Sequence, residues 1–144
     1  MRRRLVSSLL VVLMALMAGS IPVTAAEGHA VRIDAVTTFD EVPDGFTASG
    51  IPGCASGTVE NGRANVRFPR PFGVFTGFKV FSCDGSDSGF VLHLNAMFGE
   101  TGSIGSWSVV DAWGSAAGMA GAGKLTGDPI DGGIIDHYVG TVVG

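Results

Sequence analysis

The stretch GFVLHLNAMF, residues 89–98, has the clearest β pattern in the chain. Its large apolar side chains recur at every second position, which is the period of a strand with one buried face. One face carries Phe90, Leu92, Leu94, Ala96 and Phe98, and the other carries Val91, His93, Asn95 and Met97. Two placements follow. If the Phe90 face fills the core, which we favour, His93 and Asn95 lie at the surface; if it packs outside a barrel, they line the lumen.

Short segments of the same kind lie on both sides of this strand, separated by glycine, proline and acidic turns. Residues 61–62 are Asn-Gly, a typical hairpin turn. About eight or nine strands result, and one sheet of that size curls or closes. We therefore expect an all-β fold: a single closed or nearly closed antiparallel β-barrel of about eight strands, with a β-sandwich as the alternative. The predicted strands are 31–39, 46–49, 54–60, 64–68, 73–83, 89–98, 105–113, 122–126 and 134–143.

The N-terminus has the pattern of a secretory signal peptide. Three arginines at positions 2–4 precede an apolar run that ends near residue 17, and small residues follow at 23–26. The run is shorter than the roughly 20 residues that span a bilayer. We predict a signal peptide over residues 1–25, cleaved after Ala25 or Ala26, and one barrel domain over 26–144 that is secreted without a membrane anchor. The arginine pair also fits a twin-arginine signal, and the two export routes stay open.

Charge disfavours two classes of partner. The chain has nine Lys and Arg against thirteen Asp and Glu; three arginines lie in the signal and no acid does, so the mature chain has six against thirteen, a net charge of −7. Nucleic acids and anionic membranes both attract basic surfaces. We expect no nucleic-acid partner.

The two cysteines, Cys54 and Cys83, predict a disulfide, because exported thiols meet an oxidising environment. A bridge that closes this loop contributes about 3.6 kcal/mol in the chain-entropy model. The alternative, a reactive thiol, needs a basic neighbour that neither local sequence supplies.

The stretch GMAGAGKLTG, residues 118–127, has the glycine and lysine spacing of a phosphate-binding loop. Such a loop opens a helix and places Ser or Thr after its lysine to hold magnesium. Here Leu125 follows Lys124, and the glycines and proline that come next disfavour a helix. We predict no nucleotide site and no cofactor.

The wider segment GSWSVVDAWGSAAGMAGAGKLTG, residues 105–127, resembles the strand, turn and glycine-rich crossing of the allene oxide cyclase and dirigent barrel superfamily. The matching positions are Val109, Val110, Gly114, Gly121 and Gly123. Residues 39–59 and 134–142 are similar to small secreted actinobacterial proteins of unassigned role. The resemblance implies a barrel, and plant members of the superfamily act on a fatty-acid epoxide or guide radical coupling with polar groups inside it.

Candidate polar residues for a barrel lumen are His93, Asp111, Asp136, Tyr138 and Arg67. None lies in a catalytic motif, and we assign no catalytic residue. His93 and His137 lack a third ligand at a recognisable spacing, so we predict no metal site. Trp107 and Trp113 have the same strand parity, which predicts a shared face for the two indoles, either an apolar wall of the lumen or part of a plain core. We favour core packing.

Three functions fit these features. The first is a non-catalytic extracellular module that binds a small apolar ligand or another protein. The second is a structural or interaction protein of the cell envelope, for which we expect a filled lumen and an exposed apolar patch. The third is a cyclase- or dirigent-like activity in the lumen, which needs converging buried ionisable groups. We favour the first, and the side chains that line the barrel interior distinguish the three.

Overall fold

A computed structural model describes residues 26–38, 44–69 and 71–144 as a closed barrel of eight antiparallel strands. Each strand pairs with its neighbours in the chain, and β8 closes the ring against β1. The predicted all-β barrel is confirmed, and the sandwich alternative is wrong. The strands are β1 (His29–Thr38), β2 (Asp44–Ser49), β3 (Ser56–Arg67), β4 (Gly73–Cys83), β5 (Gly89–Gly99), β6 (Gly102–Trp113), β7 (Ala120–Ile130) and β8 (Gly133–Val143), with one 3₁₀ turn at Gly114–Ala116.

The two ends of the barrel differ. At the disulfide end, β1 begins and β8 ends, with His29 opposite Val142. Cys54 and Cys83 are bonded there with their Cα atoms 5.2 Å apart, as the sequence predicts. We call the other end the mouth; it is bounded by the turns that follow β3, β5 and β7.

Large apolar side chains fill the lumen towards the disulfide end. Phe81 stacks on Phe90 with ring centroids 4.8 Å apart, and Phe46 and Tyr138 meet Phe81 edge-on at 5.1 and 5.8 Å. Such offset and edge contacts are the favoured arrangements of aromatic rings. The Phe90 face of residues 89–98 therefore points inward, and its alternate face, with His93, lies on the outer wall.

The predicted hairpin turn at Asn61 and Gly62 is wrong. Strand β3 continues through this point, and both of its halves pair with β4. Asn61 lies opposite Lys79 and Ala64 opposite Gly77, so two β3 residues face Phe78 alone and form a bulge. The segments predicted over 54–60 and 64–68 are one strand, and the count is eight.

A second bulge separates the two tryptophans. Val91 lies opposite Asp111 while Leu92 lies opposite Val109, so β6 carries one extra residue. The extra residue reverses the inward and outward alternation of β6 between Trp107 and Trp113. The prediction that the two indoles share a face is therefore wrong. Trp107 is buried inside the barrel, whereas Trp113 covers the outer side of Gly89.

The glycine-rich stretch 118–127 forms most of β7. Gly123 and Lys124 lie within the strand, so the segment has no helix N-terminus that could hold a phosphate. The glycines instead make room for Trp107, whose indole lies over two neighbouring strands. A Cβ on Gly123 or Gly140 would lie 2.8 or 2.7 Å from the indole ring. The indole Nε1 donates to the carbonyl oxygen of Lys124 at 3.1 Å.

We expect Gly123→Ala to lower the free energy of unfolding by about 2 to 3 kcal/mol, because the added methyl has no space. It would lie 2.1 Å from the Val139 carbonyl oxygen as well as against Trp107. Gly99→Ala is the matched control, since no atom of the described residues lies within 4 Å of its added Cβ. Urea unfolding measures both. Equal stability of the two variants would contradict this account of the glycines.

Candidate functional site

A lysine crosses the lumen and ends in a buried ion pair. Lys79 lies on the inner face of β4, opposite Leu92. Its Nζ donates to Asp136 Oδ2 on β8 at 2.9 Å and to Thr37 Oγ1 on β1 at 2.7 Å. Lys79 is 5% and Asp136 7% exposed. Because β4 and β8 lie on opposite sides of the eight-stranded ring, the side chain spans the interior.

Tyr138 completes this cluster. Its hydroxyl donates to Asp136 Oδ2 at 3.3 Å. Burial raises the pKa of the Tyr138 phenol well above its ordinary value, and the charge of Asp136 and the hydrogen bond raise it further. The phenol is therefore neutral near pH 7 and acts as a hydrogen-bond donor, not as a base. The four residues Thr37, Lys79, Asp136 and Tyr138 form what we call the lumen cluster.

Sequence reasoning identified Asp136 and Tyr138 as lumen candidates but missed Lys79. A signal was present, since Lys79 has the same strand parity as Phe75, Phe81 and Cys83. A lysine on an apolar face needs a partner inside. That partner lies 57 residues further along the chain, where no local pattern could connect the two.

The other three candidates lie outside the lumen. His93 lies on the outer wall beside the Phe78 ring, with centroids 5.0 Å apart. Asp111 is exposed at the β6 bulge, where its carboxylate accepts from the backbone N–H of Ala112. Arg67 is exposed near the end of β3, where it donates to the side chain of Asn65. The structure does not bring these three together.

A second cluster of ionisable side chains lies on the outer wall. His137 Nδ1 contacts Asp34 Oδ1 at 2.5 Å, and its Nε2 contacts Asp128 Oδ2 at 3.2 Å. Arg32 also donates to Asp34. The hydrogen bond from Arg32 is the largest cause that holds the pKa of the Asp34 carboxyl below its ordinary value; His137 contributes as well, and partial burial opposes both. Exposed pairs of this kind contribute little to stability.

An apolar groove lies at the mouth, between the turn after β3 and the end of β5. It has a volume of about 350 Å³. Phe68 is 74% exposed and meets Phe98 edge-on with ring centroids 5.8 Å apart. We call this feature the aromatic groove; its lining is Phe68, Pro71, Phe72, Gly73, Phe98, Gly99 and Glu100.

Sequence reasoning did not identify the aromatic groove. The prolines at 69 and 71 marked only an interruption between strands. Apolar residues in a short proline-rich turn cannot reach a core, which is the signal that was available. The opposite wall, from Phe98 to Glu100, belongs to another hairpin and is adjacent only in the folded chain.

A more polar depression of about 510 Å³ lies at the disulfide end. Its wall is mainly the chain from Ala48 to Ser56 together with Asp84. The Ser56 hydroxyl donates to Asp84 Oδ2 at 2.8 Å, so these side chains bind each other.

Over residues 26–38, 44–69 and 71–144, no group of three or more His, Cys, Asp or Glu side chains is placed to hold a metal ion. The same residues contain no helix long and apolar enough to cross a membrane. In comparisons with protein-family models, curated proteins and solved structures, the chain matches none.

We expect Tyr138, which is the only tyrosine of the chain, to ionise only when the barrel unfolds. Its pKa is raised in the folded state, so the unfolded chain releases the proton at lower pH. Stability therefore falls as the pH rises above the ordinary value of 10.0, by up to about 1.4 kcal/mol per pH unit. An alkaline titration followed by tyrosinate absorbance and circular dichroism measures both events. Tyrosinate that forms near pH 10.0 while the β signal persists would contradict the burial of the phenol.

Proposed function

We propose that this protein is a secreted, non-catalytic binding module that takes an apolar part of a small ligand, or of another protein, into the aromatic groove. The observation that carries the proposal is the exposure of Phe68, 74%, beside a groove of about 350 Å³. Exposed apolar patches with a concave shape mark binding sites on small domains.

The filled lumen, which we also expect for a structural or interaction protein, supports a site at the mouth instead of the centre. An eight-stranded barrel has an interior just wide enough for side chains or one small ligand. Here Phe81, Phe90 and Tyr138 occupy that interior with almost no exposure. The apolar surface that an apolar ligand can cover lies at the mouth. Covering one phenylalanine side chain there contributes about 1.5 to 3 kcal/mol to the free energy of binding.

The signal-like N-terminus and the disulfide support secretion. Disulfides persist in oxidising compartments and are rare in the cytosol. The bond between Cys54 and Cys83 links the turn before β3 to the end of β4. A folded domain held in this way is suited to an extracellular environment.

A structural or interaction role at the cell envelope is the second candidate, favoured by a separate observation. Val74, Met97 and Ile104 lie directly opposite one another on the outer wall of β4, β5 and β6. Ile104 is 62% exposed. The row extends apolar surface away from the aromatic groove and suits a flat protein partner, whereas the groove suits a single inserted group.

A cyclase- or dirigent-like activity is the third candidate. The closed barrel is the architecture that the resemblance to this superfamily implies, and the lumen cluster supplies buried ionisable groups. In the cluster, however, Lys79 and Tyr138 both donate to Asp136. A substrate in the lumen would have to displace these bonds, so we rank this activity last.

We expect Phe68→Ser to weaken binding of the dye anilinonaphthalene sulfonate about 10-fold, because the dye loses an apolar wall of the groove. Val139→Ser is the matched control, since Val139 is also exposed but lies on β8. Fluorescence titration measures both affinities, and circular dichroism checks the fold. Equal loss in the two variants, or no loss with Phe68→Ser, would remove the groove as the binding site.

We expect the protein purified from the culture medium of its own cells to begin at Ala26 or Glu27, as cleavage after Ala25 or Ala26 requires. Intact-mass measurement gives the N-terminus. Retention of the full 144-residue chain inside the cell would refute secretion.

A further inference from the structure

Strand β3 is paired along its length on one side only. On the β4 side its ladder continues to Arg67, which lies opposite Val74. On the β2 side the ladder of the described residues stops at Val59, which lies opposite Asp44. Residues 60–67 therefore form an edge in the barrel wall near the mouth, and we call this segment the open edge.

The exposure of the side chains agrees with an edge that nothing in the described chain covers. Val59, the last β3 residue beside β2, is 2% exposed, whereas Val66 further along the strand is 46% exposed. Ala64, which lies opposite the buried Gly77 on the inner face, is exposed as well. An added strand would therefore cover apolar side chains on the inner face as well as backbone groups at the edge.

The chain between β1 and β2 is too short to pair with the far part of this edge. The open edge extends about 27 Å beyond Val59 at the usual rise of a strand. Five residues connect Thr38 with Asp44, and five residues span at most about 18 Å when fully extended. They cannot follow the edge to Arg67 and return, so residues 63–67 lie beyond their reach. Backbone N–H and C=O groups at such an edge are a template for another strand.

The open edge is basic in an otherwise acidic protein. Residues 63–67 contain Arg63 and Arg67 and no acidic residue, whereas the mature chain has six basic against thirteen acidic residues. Both arginines are exposed, and within the described ranges neither forms an ion pair with a carboxylate. Because the arginine guanidinium binds carboxylates through parallel N–H groups, the charge of the edge favours an acidic partner.

The same charges disfavour a second copy of this chain as the partner. An antiparallel pairing of two such edges about Asn65 would place Arg63 opposite Arg67 on both sides. Like charges directly opposite each other destabilise a ladder. Charged side chains and bulges are also the features by which natural edge strands avoid pairing with their own kind, and this edge has a bulge between Asn61 and Ala64.

We propose that the open edge binds an extended, acidic segment of another protein, which adds a strand beside residues 63–67. The backbone of the segment completes the ladder, as in other cases of strand addition. Its acidic side chains lie on the outer face opposite Arg63 and Arg67, and the alternate, apolar side chains cover Ala64 and Val66 on the inner face. This surface is separate from the aromatic groove and does not depend on what the groove binds.

Two synthetic peptides of opposite charge test the proposal: acetyl-EVEVEVE-amide and acetyl-KVKVKVK-amide. Each is titrated into the isotope-labelled mature protein, and binding is read from the backbone amide shifts of residues 63–67. Hydrogen exchange of the same amides shows whether a strand is added, because new ladder hydrogen bonds slow the exchange of alternate amides. We expect the acidic peptide to shift these amides and to slow their exchange, and the lysine peptide to do neither at the same concentration.

Arg67→Glu tests the charge of the edge. We expect it to weaken binding of the acidic peptide about 2- to 30-fold, because a repulsive cross-strand pair replaces an attractive one. Lys124→Glu is the matched control, since it makes the same change in charge at an exposed position of β7, on the opposite side of the ring from β3. Screening by salt should keep its effect below about 2-fold. Circular dichroism checks the fold of both variants.

Several outcomes would overturn the proposal. Absence of shifts with the acidic peptide, or shifts without slower exchange, would refute strand addition. Equal binding of the two peptides, or equal loss in the two variants, would refute recognition by charge. Sedimentation velocity of the protein alone tests the other occupant: a dimer in which residues 63–67 exchange slowly would show that a second copy takes the edge.

Discussion

The ion pair between Lys79 and Asp136 divides the interior of the barrel into two unlike halves. On the disulfide side the inner face carries large rings and branched chains, which pack to near-complete burial. On the mouth side five inner positions of β4, β6 and β7 are small, namely Gly73, Gly77, Ser103, Gly105 and Gly127, whereas Phe75 on β4 is large and packs against the core. Loss of either partner would leave an uncompensated buried charge, so the pair joins β4 and β8 across the lumen.

Whether a polar residue lies inside this barrel depends more on its having a bonding partner there than on its residue type. Strand alternation places each side chain on either the inner or the outer face of the barrel. Because burying an unpaired charge costs free energy, charged residues without a partner lie on the outer face. His93, Asp111 and Arg67 lie outside with local or solvent-facing contacts. Lys79 and Asp136 remain inside because each neutralises the other and further hydroxyl groups complete their bonds. Ser103 is the exception, since its buried hydroxyl has no hydrogen-bond partner among the residues that the structure describes.

The fold could be predicted from the sequence because its main signals are local. The two-residue period of 89–98 defines an inner face, and the spacing of turns gives a barrel. The two bulges, near Asn61 and Val110, could not be predicted, because a bulge depends on the register of the partner strand. For the same reason the shared face of Trp107 and Trp113 was predicted wrongly. The groove escaped prediction because its two walls come from hairpins about 30 residues apart in the sequence and meet only through the ladder of β4 with β5.

The pairing of β1 with β8 also sets how the barrel is oriented relative to anything attached to its termini. His29 and Val142 face each other at the disulfide end, so the chain enters and leaves the domain at the same pole. The aromatic groove lies at the mouth, which is the opposite end of the barrel and one strand length away. A neighbouring domain, an immobilising tag or a display scaffold attached to either terminus would therefore hold the barrel at its disulfide end. The aromatic groove would then point away from the support.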